Sequence, residues 1–414
     1  MEKVLIPFFS PLSEKKQNVK LLAILNEGGW HSRKPREEID IITNKSMPES
    51  QVWLFIGTGG TEKQVLEFLD KIPSTIFPIL VSHSWDNSLP AAMEIRKYLG
   101  GSGTPAKVIH ANIHELAASL NLESHMRDVA SKLRNIRLGL IGKQSEWLVA
   151  SDINEKIVEE RWGIDIIHIP VAELIQGLTN KVTSRITSHT QQFIQQANEV
   201  NRTTDELSAA KKVANTLDGI IRDYNLSAFT IECFSLLQET DITACYALSY
   251  FNDIGIVAGC EGDLPSTFTM ILAKLLTNQP AFMANVSSVN RERNELMLAH
   301  CTVPLNMTEN YSILSHFESK KGVAVKGTFE TEQIVTIFKV AGKSLDKWWI
   351  STGKILTNPD DEHCCRTQVI IKLDDSIDYF LKDSLANHHI MILGDHRSLI
   401  ESFLKEFNQK KKKN

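Results

Sequence analysis

Short, uninterrupted apolar runs alternate with segments of helical period over the first third of the chain. Residues 4–9, 52–56, 76–82 and 107–110 have the β-rich composition of buried strands. Val65, Leu66, Phe68 and Leu69 recur at helical spacing, and residues 90–98 and 113–133 read as helices. Strands that are apolar throughout and separated by helices predict a parallel sheet covered on both faces. The pattern then starts again. Residues 136–142 form a buried-strand run, Asp152 is placed to cap the next helix, residues 163–169 read as strand and 171–179 as helix. Residues 184–224 are polar, poor in Gly and Pro and helical in period, which predicts an outer helical stretch suited to packing on another subunit. Residues 228–233 return to strand, 244–252 to helix and 256–259 to strand.

After Cys260 the texture changes. A helix over 266–276 precedes apolar runs at 281–286, 296–300, 322–327, 332–340, 348–353, 368–373 and 388–393, with no helical segments between them. Such a series predicts a largely antiparallel sheet or barrel. A helix over 398–407 closes the chain before the basic run Lys410 to Lys413, read as a solvated tail. The expected architecture is α/β. It comprises two Rossmann-like, doubly wound parallel-sheet domains (1–135 and 136–257), a β-rich, barrel-like C-terminal domain (258–409) and a basic tail (410–414).

Composition narrows the partners. Of 414 residues, 42% are hydrophobic and 23% charged, the balance of a folded globular protein. Forty-five Lys and Arg against 50 Asp and Glu leave a net charge of −5, which argues against nucleic acid held by bulk electrostatics. No apolar stretch approaches the roughly 20 residues of a bilayer span, and the first apolar run is too short for a signal-peptide core. Six cysteines lie in the second half, none in a C-x-x-C pair, as in a protein of a reducing compartment. Adjacent Cys364 and Cys365 read as thiols on opposite faces of a strand. A cytoplasmic location is expected.

The densest reactive cluster is Cys260-Glu261-Gly262-Asp263, between a strand and a helix. Ligands gather beyond the carboxyl ends of parallel strands, so the place suits a site, while Asp263 equally suits a helix cap before Pro265. His300 ends a strand-like run, and His388 and His389 are adjacent in an apolar one, so that one of the pair faces inward. Neutral imidazoles with carboxylates make a donor set for Mn²⁺, Co²⁺, Fe²⁺ or Zn²⁺. Gly57-Thr58-Gly59-Gly60-Thr61 lacks a nucleotide-binding pattern and reads as a tight turn. Arg366, Trp147 and the Trp348-Trp349 pair are candidates to contact a polyol.

The segment Arg137 to Ser151 resembles the start of the second domain in the L-fucose isomerase family. Cys260-Glu-Gly-Asp-Leu-Pro-Ser-Thr-Phe-Thr-Met270, Pro280 to Val286, His300-Cys301, Cys365-Arg-Thr-Gln-Val369 and His388 to Asp395 match further patterns of that family in the same order. The resemblance implies three domains and a metal-dependent aldose–ketose isomerase working through an enediolate. Its cofactor would be Mn²⁺ or another divalent ion such as Co²⁺ or Mg²⁺. It implies a homo-oligomer, trimer or hexamer, with sites near subunit interfaces. Asp263 matches the metal-binding Asp, with Glu261 beside it, and the His388-His389 pair carries the C-terminal histidine ligand. His300 resembles a ligand of the related arabinose isomerases. An upstream glutamate that binds metal and moves a proton is either Glu239 or Glu232. Asn285 stands where many relatives carry Asp, which bears on the sugar. A sugar-binding or regulatory relative without turnover, and a lyase or epimerase using the same chemistry, are the alternatives.

Overall fold

The computed structural model describes residues 3–44, 51–179 and 187–408. The chain divides into two compact units, residues 1–125 and 126–414.

The first unit contains β1 (Val4–Phe8), α1 (Lys15–Glu27), β2 (His31–Ser32), α2 (Pro35–Asn44), β3 (Gln51–Ile56), α3 (Glu62–Leu69), β4 (Phe77–His83), α4 (Ser88–Gly101) and β5 (Lys107–Ala111). The helix α5 (Ile113–Leu133) carries the division between units. The strands form one parallel sheet in the order β2-β1-β3-β4-β5. Side chains alternate across it as strand geometry requires. Ile6, Phe8, Val52, Leu54 and Ile56 pack into a core on one face, while Leu5, Trp53, Phe55, Ile79 and Val81 pack into a second on the other.

The second unit begins with β6 (Arg137–Ile141), α6 (Glu155–Trp162), β7 (Asp165–Ile169), α7 (Val171–Gly177), α8 (Thr187–Gln196), β8 (Glu199–Val200) and α9 (Thr204–Asp223). It continues through β9 (Ala228–Ile231), α10 (Cys233–Thr240), α11 (Cys245–Asp253), β10 (Val257–Gly259) and α12 (Leu264–Thr277). Strands β10-β9-β6-β7 make a four-stranded parallel sheet. There follow β11 (Phe282–Asn290), β12 (Glu295–His300), β13 (Asn310–Leu314), β14 (Ala324–Thr328), β15 (Ile334–Ala341), β16 (Lys347–Thr357), β17 (Thr367–Leu373), α13 (Tyr379–Lys382), β18 (His389–Leu393) and α14 (Arg397–Phe407). Six of these strands close an antiparallel barrel in the order β11-β12-β17-β16-β15-β18. One continuous core joins barrel and parallel sheet, with Phe268 and Ile271 of α12, Phe229 of β9 and Phe338 of β15 among its buried members. The expected α/β class, with two parallel sheets and a C-terminal barrel, is the observed one. No helix among the described residues is long and apolar enough to cross a membrane.

Local expectations differ from the structure in three places. Asn154, not Asp152, caps α6, its side chain accepting from the Ile157 amide, because the helix starts two residues later than the pattern suggested. The stretch 184–224 is not one helix. Within its described part, β8 interrupts it and a Thr203–Glu206 capping box restarts the chain as α9. That helix is no outer layer either: Ala210, Val213, Ala214, Leu217, Ile220 and Ile221 are buried, a face built partly from alanines that a search for large apolar residues overlooks. Cys364 and Cys365 precede β17 rather than lying in a strand. The Lys410–Lys413 tail falls outside the described residues.

Candidate metal centre

The site is organised by an irregular turn after β10. Glu261 and Gly262 both adopt left-handed backbone, with φ of +62° and +65°. For a non-glycine residue this conformation is uncommon and costs roughly 1 kcal/mol, so the surroundings must enforce it. Here the Gly262 amide donates to the Ile231 carbonyl (3.0 Å) and the Ser145 amide to the Glu261 carbonyl (2.9 Å). A β-carbon at position 262 would stand 2.4 Å from the Lys143 carbonyl oxygen, so only glycine fits there. The turn sends Glu261 and Asp263 to different tasks.

Glu261 reaches the cluster. A donor atom from each of Glu261, His300 and His388 lies within 4.8 Å of the others, and all three residues are buried. His300 comes from the end of β12 and His388 from the residue before β18, so two barrel strands and the parallel sheet converge here. His388 Nε2 is 3.6 Å from Glu261 Oε1 and has no hydrogen-bond partner, although it is buried. An orphaned buried imidazole nitrogen facing a carboxylate and a second imidazole fits a divalent cation, and one carboxylate with two imidazoles is a donor set for Mn²⁺, Fe²⁺, Co²⁺ or Zn²⁺. Burial lowers the His300 pKa to about 3, leaving it neutral, as a ligand must be. Burial pushes His388 down too, but Asp263 and Glu261 on either side raise it to about 9. Burial raises the Glu261 carboxyl, and His388, His300 and the Trp147 indole more than offset this, holding it below its usual value.

Asp263 sits behind His388. Its carboxylate caps α12, accepting from the Ser266 amide (2.9 Å) and hydroxyl (2.7 Å), and its Oδ2 lies 2.8 Å from His388 Nδ1. It is fully buried, as is Lys339 of β15, whose Nζ stands 3.8 Å away and donates to the Ser266 hydroxyl at 2.6 Å. Burial raises the Asp263 pKa, but Lys339, His388 and the Ser266 amide drive it well below the ordinary carboxylate range. The capping role and the site role are therefore the same interaction: one carboxylate ends the turn, starts the helix and orients an imidazole.

The remaining candidates are distributed unevenly. Glu232 is buried at the end of β9, beside β10, and accepts from the Lys143 amide (3.0 Å) and the Ser235 hydroxyl (2.6 Å). Glu239 is exposed in the last turn of α10, and neither it nor Glu232 belongs to the cluster or to the cavity lining. His389 points to the opposite face of β18. Its Nε2 meets the Tyr379 hydroxyl at 3.0 Å, and Trp349 stacks on Tyr379 at 4.2 Å beside it. Trp147 donates its indole N–H to Glu261 Oε2 (2.7 Å) and packs edge-on against Phe234. Arg366 donates to the Ser315 carbonyl (2.8 Å) and hydroxyl (3.1 Å). In the first unit, Gly57 to Thr61 joins β3 to α3 through a bend, with Gly60 at φ +75°.

A cavity opens on the cluster. Its polar lining includes Glu261, Glu318, His300 and His316, and five thiols, from Cys233, Cys245, Cys260, Cys301 and Cys365, join them. All six cysteines are free. Neither Lys nor Arg lines this cavity among the described residues. Lys339 and His316, which also lines the cavity, were not anticipated from the sequence. For Lys339 a signal exists: it is the one charge in the otherwise apolar and threonine run Ile334 to Ala341.

No protein-family model matches the chain. Over 281 residues it is 20% identical to the sulfoquinovose isomerases of Priestia aryabhattai and Priestia megaterium, a stretch covering 64% of this chain. The match spans 63% of the length of each of those curated relatives, less than two-thirds. The similarity is distant.

Proposed function

We propose that the chain is a metal-dependent aldose–ketose isomerase acting on a free sugar. The observation that carries this reading is the buried Glu261–His300–His388 set, with the Nε2 of His388 unpartnered and turned toward the other two. A bound divalent cation would supply Lewis acidity, polarising the sugar carbonyl and favouring removal of the neighbouring proton. Glu261, His300 and His388 would hold it, while Asp263 fixes the orientation of His388. A carboxylate–histidine pair behind a metal ligand sets its tautomer in this way.

Interconverting a 1-aldehyde and a 2-ketone also requires moving a proton between two adjacent carbons. Glu232 is the best-placed second carboxylate, because it follows β9 and Glu261 follows the neighbouring parallel strand β10 at the same sheet edge. Glu239 is exposed in the last turn of α10. Asp263 bonds Ser266 and His388 and stands behind that imidazole, which suits it to orientation.

The sulfoquinovose isomerases are named for a sugar carrying a sulfonate, an anion at any ordinary pH. The carboxylates Glu261 and Glu318 in the cavity lining would repel an anion, which favours a neutral sugar for this chain. Metal analysis of the purified protein, followed by assay of neutral and sulfonated aldoses with added Mn²⁺, tests the proposal. We expect bound metal and a ketose product from a neutral aldose, abolished by EDTA. Metal-bound protein that converts no sugar in the panel would defeat the isomerase reading in favour of a sugar-binding or lyase relative.

A further inference from the structure

We propose that Lys339 is a positioning residue for the metal centre, acting through Ser266 and Asp263 on His388; the inference rests on the metal reading above. Lys339 is a fully buried cation on a barrel strand, and nothing in the barrel itself calls for one. Removing an ammonium from water costs several kcal/mol unless partners repay it. Its partners lie in one line. Nζ donates to the Ser266 hydroxyl (2.6 Å), that hydroxyl donates to Asp263 Oδ2 (2.7 Å), and Oδ2 meets His388 Nδ1 (2.8 Å). The line ends at His388 Nε2, the orphaned atom that faces Glu261.

Two consequences follow from this arrangement. First, the hydrogen bond from Lys339 fixes the direction in which the Ser266 hydroxyl donates, because that oxygen must accept from the ammonium. Ser266 therefore has its proton on Asp263, and Asp263 is left with acceptor character toward His388. With a cation bound, the imidazole then keeps its proton on Nδ1 and turns the Nε2 lone pair to the cluster. Second, Lys339 cancels the charge of Asp263, 3.8 Å away. That cancellation alone would weaken cation binding, so a loss of affinity on removing Lys339 reads the hydrogen-bond order and not the charge. The sheet, the helix α12 and the barrel each contribute one part of the line, so the barrel wall governs the ligand geometry at a distance.

The test is a double-mutant cycle on metal binding, read by electron paramagnetic resonance of free Mn²⁺, which needs no substrate. Wild-type protein should bind Mn²⁺, and Lys339→Met should weaken binding by roughly 10- to 100-fold, the range for a residue supporting a metal ligand. In an Asp263→Asn background the Lys339→Met change should add less than about twofold, because its effect passes through the missing carboxylate. The double variant also removes both buried charges together, so it reports even if Lys339→Met alone unfolds. Ser266→Ala should give an intermediate loss. Equal Mn²⁺ affinity in Lys339→Met and wild type, or additive losses in the double variant, would overturn the role of Lys339 and leave the metal reading standing. Wild-type protein that binds no divalent cation would overturn the metal reading itself and this inference with it.

Discussion

Each unit presents the carboxyl edge of a parallel sheet, and the two edges are built on opposite accounts of their polar atoms. In the first unit the groups beyond β1, β3 and β4 satisfy one another. The Ser10 amide donates to Thr58 Oγ1 (2.7 Å), the Gly59 amide to the Asp86 carbonyl (2.7 Å) and the Thr61 hydroxyl to the Thr58 carbonyl (3.0 Å). Buried His83 uses both ring nitrogens, at 3.0 Å from the Gly57 carbonyl and 3.3 Å from the Trp85 amide. In the second unit Glu261 meets two histidines, and His388 is left with a bare nitrogen. Glycine-rich turns and buried histidines occur at both edges. What separates scaffold from candidate site is whether the donors are already spent on the protein.

The sharpest way to break this contrast is to truncate one histidine at each edge. His388→Ala should abolish measurable Mn²⁺ binding in a calorimetric titration. His83→Ala should lower stability by about 2–4 kcal/mol through lost packing and hydrogen bonds, with Mn²⁺ affinity unchanged. Retained binding in the first variant, or lost binding in the second, would erase the distinction. Next in size is the carboxylate pair: Glu232→Gln should reduce turnover of a responsive aldose roughly 10²- to 10⁴-fold, whereas Glu239→Gln should leave the rate intact. The reverse pattern would hand the proton-carrying role to Glu239.

Glycines offer a third, smaller comparison. Gly262→Ala must place a methyl group against the Lys143 carbonyl at positive φ and should destabilise by about 2–4 kcal/mol, with weaker metal binding because Glu261 shifts. Gly60→Ala, at φ +75° with its nearest neighbour 3.7 Å away, should cost about 1 kcal/mol and leave metal binding alone. Thermal denaturation with and without Mn²⁺ reads both.

The smallest effect concerns pH. His300 and His389 titrate near 3 in the folded chain and near 6.5 when unfolded, so the unfolded state binds more protons between those values. Their contribution is lost as pH falls through 6.5 toward 3. His388 has the opposite sign: raised to about 9, it stabilises the metal-free protein below pH 6.5, and that support disappears as pH climbs to 9. Alkaline loss of stability should therefore be seen in metal-free protein and be absent with Mn²⁺ bound, since a ligated His388 has no such proton to release. Identical alkaline curves for the two forms would contradict this assignment.

Much of the scaffold could be read in the sequence because its strands are continuous apolar runs and α5 keeps an unbroken helical period from Ile113 to Leu133. The motif Glu261-Gly262-Asp263 and the three histidines were visible as residue types. Their division of labour was not. Nothing in the spacing says that two successive left-handed residues send Glu261 into the cluster and Asp263 behind His388. Period-2 alternation did require His388 and His389 to face opposite ways, yet which of them faced Glu261 depended on the pairing of Ala284 with His389 across the barrel seam. The burial of Lys339 is hidden in the sequence for a related reason: a lysine in a strand is ordinarily solvated, and only the three-dimensional path to Asp263 explains its burial.

The barrel seam has a consequence in time. Strand β18 closes the barrel by pairing with both β11 and β15, and His388 immediately precedes it. Glu261 and His300 are fixed by earlier segments, but the third donor arrives only when this distant pairing forms, late during synthesis and among the slower contacts to establish. On the metal reading proposed above, an incomplete or misregistered chain would hold the cation poorly, and loading would mark molecules whose barrel has shut. Added metal should then act mainly by slowing reopening of the seam, lengthening the lifetime of finished protein more than it hastens its making.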